Sequence, residues 1–219
     1  MLEHIQDGHR SALISMATGT GKTRVAMAII DVLLRARIIR NVLFVVDRIP
    51  LADNAKEEGF KEFFSEAVID LREDPKSFPD GFYVTTIQTL RYGKKDKYYE
   101  KFSSGFFDLV IFDEAHRSIY DPNQEVHRYF DAIRIGLTAT PSGRETKNTF
   151  ELFGCQGKNA TVEYQYDDAV KDKVLVPYKA EIIDTDVLTL GIKGSKLSKE
   201  IKTQLAQQEE NPDVIGLPA

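Results

Sequence analysis

The chain has 219 residues, 42% hydrophobic and 29% charged, with a formal net charge of -5 and one cysteine, Cys155. That length supports one sizeable buried core, and the acidic balance excludes nucleic-acid binding by bulk positive charge, so any such contact must be local. An internal disulfide is excluded, no apolar run is long enough to span a membrane, and Met1 to Asp7 lack the layout of a secretory signal, which makes the cytoplasm the expected compartment.

Strands and helices alternate along the chain. Ala12 to Met16 is a short apolar run ending at a Gly-rich turn. Lys22 to Arg37 reads as a helix, with Val25, Ile29, Val32 and Leu33 at helical spacing. Val42 to Val46 is a continuous β-branched and aromatic run, as expected of a parallel strand buried on both faces. A helix is expected over Ala52 to Phe64, started just after Pro50. Phe82 to Thr85, Leu109 to Phe112 and Ile133 to Leu137 read as further strands. Arg72 to Gly81, with two prolines, reads as a loop, and Arg91 to Lys101 as a basic, tyrosine-bearing surface excursion. Tyr178 to Asp184 has the pattern of one more strand, and the polar stretch from Gly191 to Ala219 that of a tail or linker. This order predicts an α/β fold with a mostly parallel central sheet and helices on both faces. Ligands then bind at the C-terminal ends of the strands.

Three motifs stand at such strand ends. The first is Ala17-Thr18-Gly19-Thr20-Gly21-Lys22-Thr23, between a strand and a helix. Gly19 and Gly21 allow a sharp turn whose N–H groups converge on an anion, and the helix dipole adds to their field. Thr18, Gly19, Thr20, Gly21, Lys22 and Thr23 are therefore the candidate phosphate-binding residues, with Lys22 reaching the β- and γ-phosphates and the Thr23 hydroxyl a ligand for Mg²⁺. The strict pattern has Gly where this chain has Met16. The second motif is Asp113-Glu114-Ala115-His116 after an apolar strand. Asp113 is placed to hold Mg²⁺ through water, and Glu114 to orient or deprotonate an attacking water; His116 has no role assignable from its chemistry alone. The third is Leu137-Thr138-Ala139-Thr140-Pro141, either hydroxyls that report the state of the nucleotide or a Thr-rich turn stopped by Pro141.

As an ordered set, covering Leu13 to Pro141, these motifs resemble the first motor domain of superfamily-two helicases and translocases, a RecA-like phosphate-loop NTPase lobe. Narrower phrases are similar to the motor (R) subunit of type I restriction enzymes: Phe44 to Leu51, Asp113 to Tyr120, Tyr129 to Thr138, and Tyr164 to Lys179 with Asp168-Ala169-Val170 and Leu175-Val176-Pro177-Tyr178. The resemblance implies ATP and Mg²⁺ as ligands, Lys22, Asp113, Glu114 and His116 as the catalytic group, and Thr138 and Thr140 as residues coupling the nucleotide to DNA. It places Asp47, Arg48, Thr85, Thr86 and Gln88 where such motors touch the tracked strand. Hydroxyl, amide and guanidinium groups suit phosphates without reading bases. Thr85 or Thr86 is equally suited to cap a helix, and Asp47 with Arg48 to form a surface ion pair. Arg91, Lys94, Lys95, Lys97 and Lys101, interleaved with Tyr92, Tyr98 and Tyr99, fit a solvated loop better than a DNA path.

The expected organisation is a motor lobe over residues 1–177 with a truncated N-terminal helix, then a final strand and linker over 178–219 toward a second lobe. That second lobe supplies arginines to the transferring phosphate. The expected partners are duplex DNA, that second lobe, and the specificity and methylation subunits of a restriction complex, with no membrane partner. A nuclease domain, an adenine-recognising segment and the second lobe are all missing from the 219 residues, so little or no hydrolysis is expected of the chain alone. The competing expectations are an RNA or DNA-repair helicase of the same superfamily, and a nucleotide-dependent assembly switch without translocation.

Overall fold

The computed structural model describes residues 2–64, 68–93, 96–115, 121–139, 146–155 and 159–178. The chain divides into two compact units, Met1–Val176 and Pro177–Ala219. Of the second, only Pro177 and Tyr178 lie within the described residues, so the strand expected over Tyr178 to Asp184 and the tail beyond it fall outside them.

Among the described residues, seven strands form one sheet in which every pairing is parallel: β1 (Ser11–Met16), β2 (Val42–Val46), β3 (Val68–Asp70), β4 (Phe82–Thr86), β5 (Leu109–Phe112), β6 (Ile133–Thr138) and β7 (Val162–Tyr164). Their order is β3-β4-β2-β5-β6-β1-β7. The alternation of side chains makes two cores from single strands. Val42, Phe44 and Val46 face one core, where they meet α2 (Lys22–Arg35) through Ala26, Met27, Ile30 and Leu33. Leu43 and Val45 face the other. There they meet α5 (Ile87–Arg91), α6 (Asp121–Tyr129) and α7 (Thr146–Leu152) through Ile87, Leu90, Val126 and Phe150. Burial on both faces is why these strands are continuously apolar rather than alternating.

The five strands read from the sequence are present, three of them one residue longer. The helix after Pro50 starts earlier, at Ile49, because Pro sits well in the first turn. It also changes type. α3 (Ile49–Asn54) passes into a π-turn (Ala55–Phe60) and ends as the short α4 (Lys61–Phe63). Two edge strands, β3 and β7, were not foreseen. Each has three residues, too few to show a period.

The excursion over Arg91 to Lys101 departs most from expectation. Tyr98 and Tyr99 are buried in a 3-10 turn, Tyr98–Lys101. Tyr99 packs against Tyr129 at 4.8 Å, and the Lys101 ammonium sits 4.1 Å above the Tyr98 ring while pairing with Asp74 at 2.7 Å. The tyrosines here are core anchors that tie the loop down, and only Tyr92 is well exposed. Lys94 and Lys95 lie outside the described residues.

The lower end of the sheet is closed by Asn41. Its amide donates to Asp80 at 3.1 Å and to the Phe106 carbonyl at 3.0 Å, and its oxygen accepts from Gly81 N–H at 2.9 Å. Asp108 receives the backbone N–H groups of Arg40 and Asn41 at 2.7 and 2.9 Å. These bonds join the starts of β2, β4 and β5 at the end opposite the motifs. No described helix is long and apolar enough to cross a membrane.

Candidate nucleotide site

β5, β6 and β1 are neighbours, with Phe112 opposite Gly136 and Ser15 opposite Thr138. The loop after β1, the acidic pair after β5 and Thr138 at the end of β6 thus share one edge of the sheet. Met16 is the last residue of β1, buried, and paired with Tyr164. It serves the strand rather than the turn, so a Gly is not needed there. The turn is made by Gly19 and Gly21, at φ 84° and 86°. A Cβ on Gly19 would also stand 3.4 Å from Leu175 Cδ2. Thr20 braces the loop, its hydroxyl donating to the Ala17 carbonyl at 2.6 Å.

Gly21 is the N-cap of α2, and no side chain caps that end. Nor does the first turn contain an acidic residue. The first-turn N–H groups and the positive end of a 14-residue helix are therefore left for an anion. Thr18 and Gly19 are exposed, while Thr20, Lys22 and Thr23 are half-buried.

Asp113 Oδ1 accepts the Glu114 N–H at 3.0 Å, and the Asp113 N–H donates to the Val45 carbonyl at 2.8 Å. Burial, and then the charge of Glu114, push the Asp113 carboxyl up to about 6; the Glu114 N–H and Lys22 pull the other way without prevailing. Glu114 has φ 51°, in the left-handed region. A non-glycine residue held there costs about 1 kcal/mol and persists where the surroundings over-determine it, often at functional sites.

Gly21, Thr23 and Asp113 line one cavity of about 390 Å³ with Arg24, Leu51, Asn54, Ala55 and Glu62. Its donor set fits a hard cation: a hydroxyl and a carboxylate, with room for retained waters. The raised Asp113 carboxyl points the same way, because burial has left it in need of a counter-charge. Sequence alone does not mark Leu51, Asn54, Ala55 or Glu62, since they follow no motif and reach the cavity only by helix packing.

The residues expected at the tracked strand separate in the structure. Arg48 is exposed and pairs with Asp47 at 3.4 Å. Gln88 is exposed on α5. Thr85 is fully buried, its hydroxyl directed to the Thr86 carbonyl at 3.4 Å, and Thr86 is the N-cap of α5, accepting the Thr89 N–H at 3.2 Å. Of the two uses that the sequence leaves open for these threonines, helix capping is the one seen at Thr86, while Thr85 lies within the core. Thr138 is buried at the end of β6. His116 and Thr140 lie outside the described residues.

The chain is similar to known proteins. The family described as "Type III restriction enzyme, res subunit" matches residues 1–143. Over 201 residues the chain is 30% identical to the EcoAI type I restriction enzyme endonuclease subunit of Escherichia coli, covering 89% of this chain and 24% of the relative. It is also 30% identical over 200 residues to the EcoKI endonuclease subunit of Escherichia coli, covering 78% of this chain and 16% of the relative. Among solved structures, the fragment of a putative HsdR subunit of a type I restriction enzyme from Vibrio vulnificus is 29% identical with a TM-score of 0.58, over 78% of this chain and 29% of that one. The helicase domain of Pyrococcus furiosus Hef, at 24% identity and TM-score 0.56 over 75% of this chain and 37% of that one, shares the fold. The chain thus spans about a quarter or less of these two curated relatives. With a parallel RecA-like sheet carrying these motifs at one edge, the chain belongs to the restriction-enzyme res-subunit family, as a superfamily-two motor domain like that of type I endonuclease subunits.

Proposed function

We propose that the chain is the ATP-binding lobe of a cytoplasmic DNA translocase that powers a type I restriction endonuclease, working with a second motor lobe and with specificity and methylation subunits. The observation that carries this reading is the meeting of the phosphate loop, the Asp113-Glu114 pair and Thr138 on three adjacent strands. In it, the N–H groups from Thr18 to Lys22 and the α2 dipole hold the β- and γ-phosphates. Lys22 neutralises charge on them. Thr23 and Asp113 are the residues that would hold Mg²⁺. When bound, Mg²⁺ neutralises and orients the phosphate oxygens. Glu114, presented by its left-handed backbone, accepts the proton of the attacking water. Thr138, with His116 and Thr140, passes the nucleotide state toward DNA. Arg48 and Gln88 contact the phosphates of the tracked strand.

The test separates binding from turnover. Lys22→Ala weakens binding of a fluorescent ATP analogue by about ten-fold or more, as expected from losing a charge-assisted phosphate contact. Glu114→Gln leaves binding within about two-fold, but lowers DNA-stimulated hydrolysis in the full-length enzyme by about a hundred-fold or more. DNA cleavage that persists in Glu114→Gln with hydrolysis abolished would sink the motor reading and leave a nucleotide-dependent assembly switch. Stimulation by RNA instead of DNA would point to the RNA helicase reading.

A further inference from the structure

The helix that begins beside Asp47 and Arg48 widens after Asn54 into the π-turn, where the Lys61 N–H donates to the Lys56 carbonyl five residues back. Such turns are rare and frequently mark functional sites. This one is held from two sides. Phe60 is fully buried, edge-on to Phe44 at 5.9 Å and tilted against Phe82 at 5.3 Å. Lys56 pairs with Glu73 at 3.1 Å, while Arg72 reaches Asp53 at 2.6 Å and the Ile49 carbonyl at 3.3 Å.

Gly59 is buried within this turn, and its φ lies outside the left-handed region, so its backbone does not demand glycine. A helical glycine is unfavourable relative to alanine. What glycine allows here is close approach. A Cβ at position 59 would stand 3.3 Å from Thr23 Cγ2 and 3.4 Å from Met27 Cε. Met27 ends in a flexible thioether that can yield. Thr23 is β-branched, stiff about χ1, and fixed in the first turn of α2. Its methyl and its hydroxyl share one Cβ, so a push on the methyl turns the hydroxyl.

We propose that Gly59 is a positioning residue for Thr23: having no Cβ, it leaves the Thr23 methyl its place beside the π-turn and so lets the hydroxyl keep the rotamer that serves the cavity Thr23 shares with Asp113. The inference rests on Thr23 holding Mg²⁺ with a bound nucleotide.

The test is a double-mutant cycle read by the Mg²⁺ concentration that half-saturates binding of a fluorescent ATP analogue to the 219-residue chain. Gly59→Ala raises that concentration about five-fold or more when Thr23 is present. In the Thr23→Ser background, where the hydroxyl remains but the methyl is gone, Gly59→Ala raises it less than about two-fold. Equal effects in both backgrounds, as a merely structural role would give, or no effect in either, would overturn the proposal. A wild-type chain that binds no nucleotide would instead remove the underlying reading of the site. Thermal melts accompany each variant. If Gly59→Ala does not fold, Phe60→Leu loosens the π-turn without adding an atom beside Thr23. It raises the Mg²⁺ requirement in the same direction, and an unchanged requirement there would overturn the proposal.

Discussion

At Asp113, burial and the neighbouring Glu114 both oppose a negative charge, and the carboxyl is pushed up to about 6 from its ordinary 3.8. A carboxyl whose folded pKa is raised makes the folded state take up protons, so metal-free stability rises as pH falls from above 6 toward 3.8. At neutral pH the ionised group costs at most about 3 kcal/mol, from two pKa units at about 1.4 kcal/mol each. Asp113→Asn removes that charge and keeps an oxygen for the Glu114 N–H. It is expected to raise the melting temperature of the chain in EDTA at pH 8, and to flatten the dependence between pH 4 and 6. Thermal denaturation across that range checks both; a variant that melts lower at pH 8 would refute the account. The identity of this residue was legible, because a carboxylate after an apolar strand downstream of a phosphate loop has few other uses. Its raised pKa was not, since that depends on which groups close over it. Thr85 and Thr86 show the converse. Their type suits a phosphate contact, but only the fold shows that one is core and the other a helix cap.

Among the elements, β6 shows how a strand between two active strands is held. Gly136 pairs with Phe112 on one side and Leu13 on the other. A Cβ there would stand 2.8 Å from the Phe153 ring and 2.9 Å from Leu13 Cδ1. Phe153 in turn lies edge-on to Phe112 at 6.2 Å and to His127 at 5.7 Å, and His127 stacks on Phe112 at 3.7 Å. Gly136→Ala is therefore expected to destabilise the domain by about 1–3 kcal/mol through overpacking, measurable by urea denaturation. Nucleotide affinity should fall with it, because the displaced ring lies against the residue preceding Asp113. The longer buried strands and α2 were readable since their patterns run for four residues or more. The short β3 and β7 were not, and neither was the π-turn, which differs from an α-helix by one residue per turn and leaves no mark in the apolar spacing.

For the whole molecule, the candidate nucleotide cavity is lined by residues between Gly21 and Asp113, whereas the resemblance to superfamily-two motors implies arginines from a second lobe at the transferring phosphate. The 219-residue chain is accordingly expected to bind ATP with Mg²⁺ but to hydrolyse it slowly, at a rate that duplex DNA does not change. A phosphate-release assay with and without DNA checks this, and brisk DNA-stimulated turnover would refute it.

Sequence by itself determined the alternation of strands and helices, the phosphate loop and the acidic pair. Each depends on residues close in the chain: apolar runs set strands, glycines permit the turn, and a carboxylate follows its own strand. Tertiary structure alone decided the strand order that brings β1, β6 and β5 together, the burial that raises the Asp113 pKa, the placing of Thr85 in the core and Thr86 at a helix cap, and the closeness of Gly59 to Thr23. Those features arise from contacts between residues distant in sequence, and side-chain packing specifies them only once the two cores have closed on the sheet.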